Sequence, residues 1–122
     1  MERNSPKVYD VMFYETPSGN QPARDVIKEL SKGDQKEIGA DIRVIQNSFP
    51  VGLPLVRKLK PDLWEIRSII KDGVFRVFFT VFSEKIILLH AIVKKSTKAP
   101  PREIEVAVTR LKEFKRMQKE GC

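Results

Sequence analysis

Apolar and polar positions run along the chain in blocks whose period changes, and the changes mark the elements. Lys7 to Tyr14 is rich in β-branched and aromatic residues and stops at the turn formers Thr16-Pro17-Ser18-Gly19-Asn20, which predicts a first strand. Pro22 suits a helix N-terminus, and Ala23, Ile27 and Leu30 then keep helical spacing until Ser31-Lys32-Gly33 ends the run. Asp34 reads as the N-cap of a second helix in which Ile38, Ile42, Ile45 and Phe49 repeat at intervals of 4, 3 and 4, before Pro50 and Gly52 close it. Three strand-like runs follow: Leu63 to Ile70 with a turn at Lys71-Asp72-Gly73, Val74 to Phe82 with a turn at Ser83-Glu84, and Lys85 to Val93. Their short connections imply an antiparallel meander. The runs are more apolar than strict alternation would give, so both sheet faces are expected to be covered, at least in part. From Pro101 a third helix carries Ile104, Ala107, Val108, Leu111 and Phe114 on one stripe. The predicted order is β-α-α-β-β-β-α, an α+β fold with helices packed on a curled, mainly antiparallel sheet.

With 122 residues the chain makes one domain, taken as 1–122 with frayed ends at 1–6 and 118–122. That length buries enough surface to need no disulfide or structural metal. Cys122 is the single cysteine, which excludes an internal disulfide, a multi-thiolate zinc cluster and an iron–sulfur site. His90 is the single histidine, which excludes a two-histidine metal site within one chain. No metal and no cofactor is expected. No apolar run approaches the roughly 18–20 residues of a membrane span, and the polar start Met1-Glu2-Arg3-Asn4-Ser5 is no signal peptide. A cytoplasmic protein without a membrane partner is the expectation. The net charge of +7 is concentrated: residues 1–56 carry −1, residues 57–98 carry +6 and residues 99–122 carry +2. A basic excess confined to the middle third points to a polyanionic partner, with a merely solvated basic face as the bland alternative.

Strand parity narrows the chemistry, because alternate side chains share a face. Glu65, Arg67 and Ile69 point together, opposite Trp64, Ile66, Ser68 and Ile70. Arg76 shares its side with Val74, Phe78 and Thr80, whereas Phe75, Val77, Phe79 and Val81 read as core. His90 and Lys94 share parity with Leu88 and Ile92. A guanidinium within a Phe/Val strand is costly to bury unpaired. Either Arg76 pairs internally with Glu65 or Glu84, or it is held rigidly to grip a phosphate. Arg57, Lys58 and Lys60 precede the sheet, and Lys94, Lys95 and Lys98 follow it. Such a cluster attracts nucleic-acid backbone and depresses the pKa of a lysine inside it. That lysine can take a proton from a ribose 2′-hydroxyl while an arginine stabilises charge on the phosphate. Lys71 joins the RNA-contacting set. Glu65 and His90 are accessory candidates, each with a structural alternative: a counter-ion for Arg67 or Arg76, and a hydrogen-bonded group in an apolar strand. Trp64 and Phe114 read as core.

Several blocks together resemble a known family: Lys58-Leu59-Lys60, Leu63-Trp64-Glu65-Ile66-Arg67, Phe75-Arg76-Val77-Phe78-Phe79, Leu88 through Pro100, and Glu103-Ile104-Glu105-Val106-Ala107. Between about residues 57 and 115 the chain is similar to phage-derived HigB-like toxins of the RelE/ParE toxin–antitoxin superfamily. The resemblance implies a RelE-like fold and a toxin that cleaves messenger RNA in the ribosomal A site by 2′-hydroxyl attack without metal. It also implies a helix-turn-helix antitoxin of the HigA type. It places the family's strand arginines at Arg67 and Arg76 and its Lys-Lys at Lys94 and Lys95, the catalytic set, with Lys58 and Lys60 in the basic stretch ahead of the sheet. Some relatives use an aromatic or histidine near the C-terminus, where this chain has Phe114 and Met117. Two other outcomes stay open: a ParE-type gyrase inhibitor without nuclease activity, and a non-catalytic RNA-binding module.

Overall fold

The computed structural model describes residues 8–71, 73–94 and 99–120. Lys95, Lys98, Cys122 and the first seven residues, Lys7 of the expected first strand among them, lie outside them, as does Asp72 of the first hairpin turn. Eight elements follow in order: β1 (Asp10–Phe13), α1 (Pro22–Lys28), α2 (Lys32–Ser48), β2 (Val56–Lys60), β3 (Leu63–Ile70), β4 (Gly73–Phe82), β5 (Lys85–Lys94) and α3 (Pro101–Glu120). The strands form one mixed sheet in the order β1-β5-β4-β3-β2. β2 to β5 are an antiparallel meander, and β1 closes the other edge in parallel with β5.

The α+β class and all three meander strands agree with the sequence reading, but the order contains one strand more. β2 was expected only as a basic stretch before the sheet. It is an edge strand of sequence VRKLK with Val56 alone fully buried, and charged side chains on an edge discourage pairing with other chains. That composition makes it look like a loop. The second helix is capped differently as well. Ser31 is its N-cap, accepting the Asp34 N–H at 3.1 Å, so Gly33 lies inside the first turn. Asp34 instead accepts the backbone N–H of Lys71 at 3.3 Å, tying α2 to the end of β3.

Alternation in β3 and β4 builds two cores. On one face Ile66, Ile70, Phe75, Val77, Phe79, Ile86 and Leu88 pack under α1 and α2 through Ala23, Ile38 and Ile45. Phe49 stands at the centre of this side, edge-on to Tyr9, Trp64 and Phe79 at centroid distances of 5.1 to 6.0 Å. On the opposite face Leu63, Phe78, Ile87 and Leu89 pack under α3 through Ala107, Leu111 and Phe114. Ser83 and Glu84 both take left-handed backbone, φ 51° and 65°, as a two-residue loop between β4 and β5 requires.

One irregularity matters for the site. The β4–β5 register shifts between Phe78 and Phe79, which pair with His90 and Leu88 respectively, so Leu89 is an extra residue. Simple parity put His90 on the side of Leu88. The bulge separates them: Leu88 enters the core under α1 and α2, and His90 stacks on Phe78 beneath α3.

Candidate functional site

The face under α3 carries nearly all the polar chemistry, arranged in rows across the sheet. Arg67 on β3 stands directly opposite Arg76 on β4, which in turn pairs with Ile92 on β5. One row towards α3, Arg57, Glu65, Phe78 and His90 align across β2, β3, β4 and β5. One row the other way, Ile69, Val74 and Lys94 align. Directly opposed side chains have Cβ atoms about 4.5–5.5 Å apart, and two like charges so placed repel.

Glu65 relieves that repulsion for one of the two arginines. Its Oε2 accepts from Arg76 Nη1 at 2.9 Å, and both side chains are 0% exposed. The internal pairing, one of the two explanations open for a mid-strand arginine, is the one the structure takes. Arg76 is therefore a buried strut and presents no free guanidinium at the surface. Glu65 Oε1 is buried and has no hydrogen-bond partner among the described residues.

Arg67 is different. It is half-buried, its Nε has no hydrogen-bond partner among the described residues, and it forms no ion pair with a described carboxylate. It lines a cavity of about 490 Å³ together with Ile69, Pro54, Leu55, Glu37 and Asp41. A guanidinium with donors to spare, fixed on a strand and facing open space, suits a phosphate oxygen. On the strands three arginines share this face with one carboxylate, Glu65, while within the cavity itself Arg67 stands with Glu37 and Asp41 of α2.

The remaining basic residues divide. Arg57 is exposed in the Glu65 row. Lys58 turns to the opposite face, where its Nζ lies 5.7 Å from the Trp64 ring centroid. The β2 bulge between Lys58 and Lys60 returns Lys60 to the α3 side. There it lines a groove of about 720 Å³ with Pro61, Ile104 and Val108. Lys71 is exposed at the β3–β4 hairpin beside α2. Lys58 and Lys71 thus stand apart from the arginine rows. Lys94 holds its register position opposite Val74.

His90 is engaged on both ring nitrogens. Nε2 lies 2.6 Å from Glu103 Oε1, and Nδ1 lies 2.9 Å from Arg110 Nη1. The ring stacks on Phe78 at 5.6 Å and 17°. Arginine can only donate, so Nδ1 must accept, and the ring proton sits on Nε2, donated to Glu103. Burial pushes the imidazole pKa below 6.5, the Glu103 hydrogen bond opposes that shift, and the Arg110 charge reinforces it. His90 is thus neutral. Arg110 also donates to Leu89 O at 3.1 Å, and burial lowers its own pKa without discharging it. Tyr14, near Arg110 at the end of β1, is held protonated by burial and by the Glu113 charge. Glu103 and Arg110 carried no role in the sequence reading. Their signal is two opposite charges seven residues apart on α3, flanking Ala107 on the stripe that faces the strand with the only histidine.

Among the described residues no group of three or more His, Cys, Asp or Glu side chains is placed to hold a metal ion, and no helix is long and apolar enough to cross a membrane. Residues 25–112 match the family model of the phage-derived protein Gp49-like (DUF891), well over half of the chain and all of the arginine rows. No curated protein matches the chain.

Proposed function

This chain belongs to the Gp49-like family of phage-derived proteins, and on that premise we propose that it is the toxin of a type II toxin–antitoxin pair. It is read as a HigB-like member of the RelE/ParE superfamily, acting in the cytoplasm as a ribosome-dependent messenger-RNA endoribonuclease. A helix-turn-helix antitoxin of the HigA type would neutralise it. The observation that carries this reading is the Arg67–Arg76 row, in which one guanidinium is neutralised by Glu65 and the other has no carboxylate partner among the described residues. Placing two like charges side by side costs stability unless an anion joins them. A ribose-phosphate bridge supplies that anion.

In this reading Arg67 grips the scissile phosphate and stabilises the charge that builds on it during 2′-hydroxyl attack. Arg76 holds the strand geometry through Glu65 and adds positive potential from below. Lys94 and Lys95 are assigned to the same clamp by the resemblance, and Arg57, Lys60 and Lys98 to flanking phosphates or ribosomal RNA. Attack by the 2′ oxygen forms the O2′–P bond, breaks P–O5′ and leaves a 2′,3′-cyclic phosphate.

Induction of the chain in cells, followed by primer extension on several messages, tests the proposal. Growth arrest with discrete new 5′ ends inside coding regions supports it, and Arg67→Gln should abolish both. DNA breaks with intact messages would instead identify a gyrase poison. Salt-sensitive RNA binding without growth arrest would leave only a binding module.

A further inference from the structure

We propose that His90 is the general base of the cleavage step and that Arg110 holds it in reserve until an RNA phosphate draws the guanidinium away; this rests on the endoribonuclease reading. The arrangement has the parts a base needs. The imidazole is neutral at rest, with its proton fixed on Nε2 by Glu103 at 2.6 Å and its ring plane fixed by the Phe78 stack. A carboxylate behind one nitrogen leaves the other as the basic one. That second nitrogen, Nδ1, is occupied at 2.9 Å by Arg110 and by no other described residue.

Position favours the role as well. His90 lies one row along and one strand across from Arg76, and one row along and two strands across from Arg67; its strand neighbour Ile92 is the residue opposite Arg76. The charged groups facing it are Glu103 and Arg110 from α3 and, diagonally across β4, Arg76, with Tyr14, just after β1, beside Arg110. Arg110 has somewhere to go. It also lines a shallow recess of about 280 Å³ on α3 with Arg102, Glu105, Val106 and Thr109. A phosphate offers a guanidinium an opposite charge and a bidentate match, neither of which a single imidazole nitrogen can give.

Once Arg110 turns to the phosphate, the Nδ1 lone pair is free. It accepts the 2′-hydroxyl proton while O2′–P forms and P–O5′ breaks, and solvent protonates the departing 5′ oxygen. Glu103 stabilises the imidazolium without taking its proton, and the Phe78 face adds cation–π stabilisation. Without RNA, the same contacts keep the base blocked. Contacts that only docked α3 would give no imidazole rescue of His90→Ala.

Two measurements use the untagged chain, in which His90 is the only histidine. Diethyl pyrocarbonate, an electrophile that a free imidazole lone pair attacks, should modify His90 slowly in the wild type and at least about tenfold faster in Arg110→Ala. Equal rates would overturn the reserve. In single-turnover cleavage on programmed ribosomes, His90→Ala should lose about 10²–10⁴-fold. Added imidazole should restore part of the rate in proportion to its neutral form. His90→Gln, which keeps an amide opposite Glu103, should fold and be equally slow, and it covers the case in which His90→Ala fails to fold. A His90→Gln rate within threefold of wild type, or a folded His90→Ala with no imidazole response, overturns the base assignment. If the wild type itself does not cleave, the endoribonuclease reading has failed; a diethyl pyrocarbonate contrast seen in that case would still be a property of the Arg110 contact.

Discussion

Replacing Arg76 with methionine is the perturbation whose consequence the structure states most sharply. Methionine fills much of the volume of the arginine stem, so the main effect is to strand Glu65. That carboxylate is 0% exposed, and its other oxygen already lacks a partner among the described residues. Removing one partner of a buried pair costs about 3–5 kcal/mol, because the remaining charge sits in apolar surroundings. A domain of this size loses about 3–5 °C of Tm per kcal/mol, so Arg76→Met should melt about 10–20 °C below wild type. Against a total stability of about 5–15 kcal/mol, that also lowers the folded population in cells. Replacing both partners, Glu65→Leu with Arg76→Met, removes both charges and should restore Tm to the wild-type value or above it. Scanning calorimetry on the four proteins closes the cycle. An Arg76→Met variant melting within about 3 °C of wild type, or a double variant as unstable as the two single losses added, would refute the buried strut. The consequence for function is direct: lost toxicity in an Arg76 variant reports folding as much as catalysis, and Arg67 is the position that isolates the phosphate contact.

Other expectations are simpler. Arg67→Gln should leave Tm within about 1–2 °C of wild type, since a half-buried arginine with no ion pair among the described residues contributes little to stability. Ser31→Ala removes the N-cap of α2 and should cost about 1 kcal/mol, or about 3–5 °C in a melting curve, with the fold otherwise intact. Stability should also depend on pH through His90. Its folded pKa lies below the ordinary 6.5, so between those two values the unfolded chain binds more protons than the folded one. The His90 contribution is thus fully present above about pH 6.5 and is lost as pH falls through the folded value. A Tm series from pH 7.5 to pH 5 should fall in the wild type and flatten in His90→Gln; identical slopes would show that His90 does not carry the effect.

Where the period of apolar residues was strong, sequence reasoning found the element and its face. β3, β4 and β5 agree with their expected bounds within one residue, and the opposed sides of β3 and β4 are the two cores. The misses have physical causes. β2 is half charged because it is an edge, with a neighbour on one side only, so composition hid its backbone pairing. The α1–α2 junction was misplaced because Ser31 and Asp34 both suit an N-cap; the extended backbone of Ser31, φ −61° and ψ 158°, decides between them. The side of Leu88 was misassigned because one extra residue in a strand reverses parity beyond it, and nothing in an unbroken apolar run marks a bulge. For the site, the sequence supplied the arginine row and Glu65 as a partner for one of its members. It did not supply which arginine would be consumed by that carboxylate, because Glu65 shares a face with both and only packing decides. The His90 network was out of reach for a related reason: its partners come from a helix 13 and 20 residues along the chain, and their meeting depends on how α3 crosses the sheet.

The most direct test of the central claim is cleavage by the purified chain on ribosomes carrying a defined message, wild type beside Arg67→Gln. Discrete breaks ending in a 2′,3′-cyclic phosphate are expected from the wild type, with at least a hundredfold loss in the equally stable Arg67→Gln protein. An intact message with wild type, or unchanged cleavage by Arg67→Gln, would contradict the account.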